Sequence, residues 1–77
     1  MTETNATAFK ARRIELGLTQ QDLADRCLDL GVPVSDSQIS KIERNQSTPL
    51  PGLRRALKVI LGDDPVVLQR RAAKVVL

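Results

Sequence analysis

Glycine and proline recur along this 77-residue sequence at intervals that leave room for short helices between them. Within those intervals, no alternation of apolar and polar residues reaches six residues, so the pattern favours helices over strands. We therefore expect an all-α fold of five helices packed as a compact bundle, with residues 1–77 forming one domain. The glycines and prolines that separate the expected helices are Gly17, Gly31, Pro33, Pro49, Pro51, Gly52, Gly62 and Pro65.

Capping signals predict the ends of the first three helices. The first helix is expected over residues 6–16, and Gly17 suits a left-handed stop. The second begins after Thr19, a good N-cap, and ends at the next glycine. Ser35 followed three residues later by Gln38 has the spacing of a capping box and predicts the start of the third helix.

The last two helices are predicted in the same way. The fourth is expected over residues 51–61. The fifth has Asp64 as its N-cap and Pro65 in its first position, and it is expected to run to the end of the chain. Apolar residues cover more than one face of this helix, and the last three residues, 75–77, are all apolar. These residues could cover the core of the monomer or form a dimer contact. The excess of apolar residues favours the second, so residues 63–77 are a candidate surface for dimerisation.

Composition argues against several classes of function. With no His and one Cys, the chain lacks the residues for a Cys/His metal cluster, an internal disulfide or a His-dependent triad. Its one aromatic residue, Phe9, argues against an RNA or single-strand binder that stacks bases. We expect no cofactor, no bound metal and no enzymatic activity. No apolar run of about 18 residues and no basic-then-apolar leader occurs, which predicts a cytoplasmic protein without a membrane partner.

Two sequence motifs carry most of the functional information. They are GLTQQDLA at residues 17–24 and ISKIERNQSTP at residues 39–49. In order and separation they resemble the helix-turn-helix of the Cro/C1-type (phage-repressor class, XRE-like) family of bacterial and phage regulators, over about residues 9–62. The resemblance implies a phage-repressor-like bundle in which helices two and three form the DNA-binding unit. The connection between these helices is roughly five residues longer than the family's usual one, which we assign to an extra helical turn and a longer loop.

The resemblance also implies roles for individual residues on and around the third helix. A recognition helix reads bases mainly through its N-terminal residues, while phosphate contacts flank it. The implied base readers are Ser35, Asp36, Ser37, Gln38 and Lys41. The implied phosphate ligands are Gln20, Gln21, Ser40, Arg44, Asn45 and Ser47. Asp36 and Ser37 equally suit the first turn of any helix, so capping stays open as their role.

A structural ion pair is a separate implication of the family. Arg13 lies on the apolar face of the first helix, where an unpaired charge is costly. In the family, the Glu of the IER-type motif pairs with an Arg of helix one. We therefore expect an Arg13–Glu43 salt bridge that fixes helix three against helix one.

Three functions are compatible with these features. The leading one is a small Cro-like repressor that binds a palindromic double-stranded DNA operator as a homodimer, nucleoid-associated in a bacterium or encoded by a phage. The second is the antitoxin of a toxin–antitoxin pair, which binds both DNA and a toxin protein. The third is a helical protein-interaction module, against which the cationic residues Lys41 and Arg44 argue.

Overall fold

The computed structural model describes residues 3–76. Within that range the chain is mostly helical, with five helices and one small sheet, so the expected helical class is confirmed. The elements in chain order are β1 (Glu3–Thr7), α1 (Ala8–Glu15), α2 (Gln20–Asp29), α3 (Asp36–Glu43), α4 (Pro51–Leu61), α5 (Pro65–Arg70) and β2 (Ala72–Val76).

The helix starts follow the capping signals of the sequence. Thr19 and Asp22 form a reciprocal capping box at the start of α2, with Thr19 Oγ1 accepting from the Asp22 N–H at 3.0 Å. At α3, Ser35 Oγ accepts from the Gln38 N–H at 3.1 Å, which is one of the two bonds of the box expected there. These caps satisfy backbone donors that a helix start leaves free, and they fix where α2 and α3 begin.

The chain ends do not follow the prediction. The fifth helix stops at Arg70 instead of running to the terminus, and β2 pairs antiparallel with β1. The first helix correspondingly begins at Ala8, two residues later than expected, because residues 6 and 7 belong to β1. Valines in β2 favour an extended backbone, and the partner strand that makes this pairing possible lies at the other end of the sequence. Leu77, part of the predicted apolar tail, lies outside the described residues.

The core fills the space between all five helices. Its members are apolar residues that recur at helical spacing on the inner face of each element. Cys27 is among them, and burial raises the pKa of its thiol, so the thiol stays protonated and packs as a small apolar group. The largest buried apolar side chains include Phe9, Leu23, Ile39, Ile42, Leu57 and Leu61. None of the helices within residues 3–76 is long and apolar enough to cross a membrane.

An ion pair joins α4 to the start of α5. The Arg54 guanidinium donates to both carboxylate oxygens of Asp64, at 3.1 and 2.5 Å. Asp64 also caps α5 by accepting from the Val66 N–H at 3.0 Å. The hydrogen bonds from Arg54 hold the pKa of the Asp64 carboxyl below its ordinary value, so this corner keeps its charge pairing well into mildly acidic solution.

Candidate nucleic-acid interface

Three residues of α3 are buried, namely Ile39, Ile42 and Glu43, and most of its other side chains are exposed. Ile39 and Ile42 are completely buried, and α2 packs against this helix. Ser40 is half-buried at the side of α3 that faces α2. A helix with a short polar face of this kind is the element that fits the major groove of B-DNA. The exposed residues of the segment are Ser35, Asp36, Ser37, Gln38, Lys41 and Arg44.

Two concavities adjoin along the side of α3. The first, here the α3 groove, has a volume of about 250 Å³ and is lined by Gln20, Asp36, Ser37, Ser40, Lys41 and Arg44. The second, here the α1 pocket, has a volume of about 450 Å³ and is lined by Ala6, Thr7, Lys10, Gln20, Ser40, Glu43 and Arg44. Gln20, Ser40 and Arg44 line both concavities, so the start of α2 and the end of α3 meet there.

The structure therefore brings together six of the residues singled out in the sequence as candidate DNA contacts, all in the α3 groove. Within this set, Lys41 and Arg44 supply positive charge, and Gln20 lies in the first turn of α2, where backbone N–H groups attract anions. Asp36 accepts a hydrogen bond from the Ser37 N–H at 2.8 Å, so part of its hydrogen-bonding capacity serves the helix start. The groove thus combines donors, acceptors and a net cationic rim.

The other residues predicted to contact DNA lie outside the α3 groove, and several of them form hydrogen bonds within the protein. The Gln21 side chain donates to Asp25 at 2.9 Å along the outer face of α2. The Ser47 carbonyl accepts from the buried Gln69 amide at 2.8 Å, although the Ser47 side chain is partly exposed. The Ser35 hydroxyl accepts from the backbone of α3, and Gln38 is exposed beside it.

Asn45 has a backbone role in addition to its predicted one. Its φ of 59° lies in the left-handed region, which Asn tolerates better than most residues. In this conformation the Asn45 N–H reaches the Ile42 carbonyl at 3.0 Å, and the Gln46 N–H reaches the Lys41 carbonyl at 2.8 Å. These two bonds make a Schellman motif that ends α3 and turns the following loop away from the helix axis.

Lys10 is a further candidate contact, which the sequence reasoning missed. It lies one helical turn before Arg13 on the same side of α1, and it lines the α1 pocket with Gln20 and Arg44. The sequence does contain a signal for this residue. If Arg13 pairs with α3, then Lys10, three positions earlier on the same helix, also lies near α3. The pocket therefore holds two cationic side chains beside a helix start.

The Arg13–Glu43 ion pair is present and buried. Arg13 Nε donates to Glu43 Oε2 at 2.7 Å, and its NH2 group donates to Oε1 at 3.0 Å. A third bond runs from Arg13 NH1 to the Leu18 carbonyl at 2.7 Å. Arg13 and Glu43 are 9% and 3% exposed. This two-pronged geometry fixes the end of α3 to α1 and to the loop before α2.

Comparison with known proteins agrees with this geometry. A family model described as helix-turn-helix matches residues 9–59, which include α1, α2, α3 and most of α4. No curated protein and no solved structure matches the chain significantly. The fold and the exposed polar face of α3 define a helix-turn-helix DNA-binding unit. The chain belongs to the Cro/C1-type helix-turn-helix family, a class of DNA-binding transcription regulators.

Proposed function

We propose that the protein is a transcriptional repressor that binds a palindromic operator as a homodimer and blocks a promoter by occupying it. The observation that carries this proposal is the α3 groove, where exposed polar and cationic side chains meet the start of α2. In this arrangement α3 enters the major groove, and the start of α2 faces the sugar–phosphate backbone.

Base recognition is assigned to exposed residues of α3 and to Ser35, its N-cap. Lys41 donates to the O6 and N7 acceptors of guanine, and Asp36 accepts from the N4 amino group of cytosine. Ser37 contacts either a base edge or the methyl group of thymine. The remaining proposed readers, Ser35 and Gln38, lie at the same exposed start of the helix.

Phosphate binding is assigned to residues that flank these base readers. Gln20 lies at the start of α2, and Arg44 follows the last turn of α3, so the two face the same stretch of sugar–phosphate backbone. Lys10 extends this cationic surface into the α1 pocket. The other proposed phosphate ligands are Gln21, Ser40, Asn45 and Ser47.

Replacement of Lys10 by alanine tests the phosphate surface. We expect Lys10→Ala to weaken binding to a duplex of mixed sequence and to reduce the slope of log K against log salt by about one unit. Fluorescence anisotropy with a labelled duplex at several salt concentrations measures both. Lys58→Ala is the matched control, because Lys58 is exposed near the end of α4 and lines neither concavity. An unchanged slope for Lys10→Ala removes Lys10 from the interface, and no duplex binding by the wild type contradicts the proposed function itself.

The proposed dimer needs an exposed apolar surface. The end of the chain, within residues 63–77, is less suitable for this than a surface formed by α2 and α4. Val75 is buried, so it is not free for a partner. Leu30 and Val59 are 50% and 72% exposed, and they line two adjoining hollows of about 340 and 330 Å³ between the end of α2 and the outer face of α4. Arg26, Asp29 and Arg55 line these hollows too, which gives a second copy both signs of charge to pair with. We place the dimer contact there.

Two matched charge substitutions separate this surface from α5. We expect Val59→Asp to shift the protein to a monomer in sedimentation velocity at micromolar concentration, because a carboxylate is costly in an apolar contact. Val67→Asp introduces the same charge at an exposed valine of α5 and is expected to leave the dimer intact. Dissociation by Val67→Asp alone moves the interface to α5, and a monomeric wild type at all concentrations contradicts the dimer.

A further inference from the structure

The carbonyl groups at the end of α3 are held by side chains from the two ends of the chain. Thr7 Oγ1 donates to the Glu43 carbonyl at 2.5 Å. The Gln69 Nε2 group donates to the Ile42 carbonyl at 3.2 Å and to the Ser47 carbonyl at 2.8 Å. A helix end leaves its last carbonyls without partners inside the helix, and here Thr7 and Gln69 supply them.

The buried position of Gln69 and the orientation of its amide suit it to binding these carbonyl groups. It is 2% exposed, and its Oε1 atom has no hydrogen-bond partner within residues 3–76. The reversed amide would set that oxygen against two carbonyl oxygens, so the donor orientation is the favourable one. Burying an amide whose oxygen lacks a hydrogen-bond partner is unfavourable. The Gln69 amide group offsets this cost by donating two hydrogen bonds to the segment that ends α3.

Thr7 and Gln69 are also tied to each other through the sheet. Thr7 is the last residue of β1 and the N-cap of α1, and it pairs in register with Ala72 of β2. The Ala8 N–H donates to the Arg71 carbonyl at 2.7 Å next to this pair. The pairing of β1 with β2 therefore holds Thr7 close to the end of α5, which carries Gln69. We call these two side chains the terminal clamp.

We propose that the terminal clamp is a positioning device for DNA recognition, so that Thr7 and Gln69 affect operator specificity through the position of α3 and not by contacting bases. Both residues lie outside residues 9–59, the part of the chain that matches the family. The clamp holds the carbonyls of residues 42, 43 and 47, between which lie Arg44 and the left-handed Asn45. A shift of this segment moves Arg44 relative to the phosphates and changes how deeply α3 enters the groove. This inference rests on the proposed function.

The test uses substitutions that remove the donors. Because Thr7 Oγ1 also accepts from the Lys10 N–H at 3.3 Å as the cap of α1, Thr7→Val removes that bond too. Gln69→Met leaves this cap intact and isolates the clamp. Thr7→Val keeps the shape of the side chain, Thr7→Ser restores the hydroxyl, and Gln69→Met keeps much of the length without the amide. Leu68→Ala is the control, because Leu68 is a buried neighbour of Gln69 whose loss destabilises the fold by cavity formation. The operator is first obtained by selection of bound sequences from a random duplex library. Each variant is then titrated against a duplex that carries this operator and against the same duplex with one half-site scrambled. The temperature is one at which circular dichroism shows the variant to be fully folded.

We expect Thr7→Val and Gln69→Met to lower the ratio of operator to scrambled affinity by about 2- to 30-fold. Thr7→Ser is expected to restore the ratio, and Leu68→Ala to leave it unchanged despite a lower Tm. If the clamp variants lose Tm but keep the specificity ratio, as Leu68→Ala is expected to, the clamp is only structural and the inference is wrong.

Hydrogen exchange gives a second readout that does not depend on DNA. The amides of Asn45 and Gln46 form the Schellman bonds that end α3, so their exchange rates report how firmly this segment is held. We expect faster exchange at these two amides in Thr7→Val and Gln69→Met, relative to the other α3 amides, and no such selective change in Leu68→Ala. Unchanged exchange overturns the inference. A wild type without any sequence preference overturns the proposed function instead, whatever the exchange data show.

Discussion

Replacing Glu43 by alanine is expected to lower the free energy of unfolding by about 3–5 kcal/mol. Glu43 is 3% exposed and accepts two of the three hydrogen bonds that the Arg13 guanidinium donates. Without it, a cation that cannot reach bulk water is left with one remaining acceptor, the Leu18 carbonyl. The loss therefore reflects an uncompensated buried charge more than the attraction of the pair itself. Urea denaturation followed by circular dichroism measures the effect.

Glu15→Ala is the matched control for this experiment. Glu15 also pairs with an arginine of α1, Arg12, but at 3.4 Å on the surface, and exposed pairs contribute at most about 1 kcal/mol. The double variant Arg13→Met with Glu43→Leu removes both charges and is expected to recover much of the loss. If Glu43→Ala and Glu15→Ala destabilise the protein equally, the buried pair does not hold α3 in the way described.

Replacing Lys41 by alanine is expected to weaken binding to the operator by about 1–3 kcal/mol, or about 5- to 150-fold. Lys41 is exposed in the α3 groove, and in the proposed complex its ammonium group donates to a guanine edge. The loss should fall on one or two base pairs, so that the variant tolerates substitutions there that the wild type rejects. Titration of single-base operator variants measures this.

Arg44→Ala provides the contrast, because Arg44 is assigned to the phosphates. Its removal should weaken all duplexes alike and lower the salt slope by about one unit. Lys41→Ala and Arg44→Ala each remove one positive charge, so a general charge effect acts on both equally. If Lys41→Ala weakens every sequence to the same degree, Lys41 is a phosphate ligand and the base-reading assignment is wrong.

The sequence predicted the helices well because their ends are set locally. Thr19, Ser35 and Asp64 cap backbone donors within three residues of themselves, and Gly17 adopts a positive φ where the first helix ends. The two strands could not be found in this way. Pairing of Thr7 with Ala72 joins opposite ends of the chain, and neither short strand carries an alternating pattern that marks it alone.

In the candidate site, too, the residues that a local sequence motif marks were predicted, and those that depend on contacts between distant parts of the chain were not. Polar residues on α3 and at the start of α2 are visible as a motif, whereas the position of Gln20 and Arg44 in the same two concavities depends on how α2 packs against α3. Lys10 and Gln69 carry no motif, since their importance depends on what packs across from them in space. Contacts of this kind follow from tertiary packing, which one sequence does not specify residue by residue.

The most direct test of the central claim is selection of bound sequences from a random duplex library at about 150 mM salt, where non-specific phosphate binding is partly suppressed. The account predicts enrichment of a palindrome whose half-sites lie about one helical turn apart, bound by two copies of the chain. Failure to enrich any sequence, with only weak salt-sensitive binding, would contradict it.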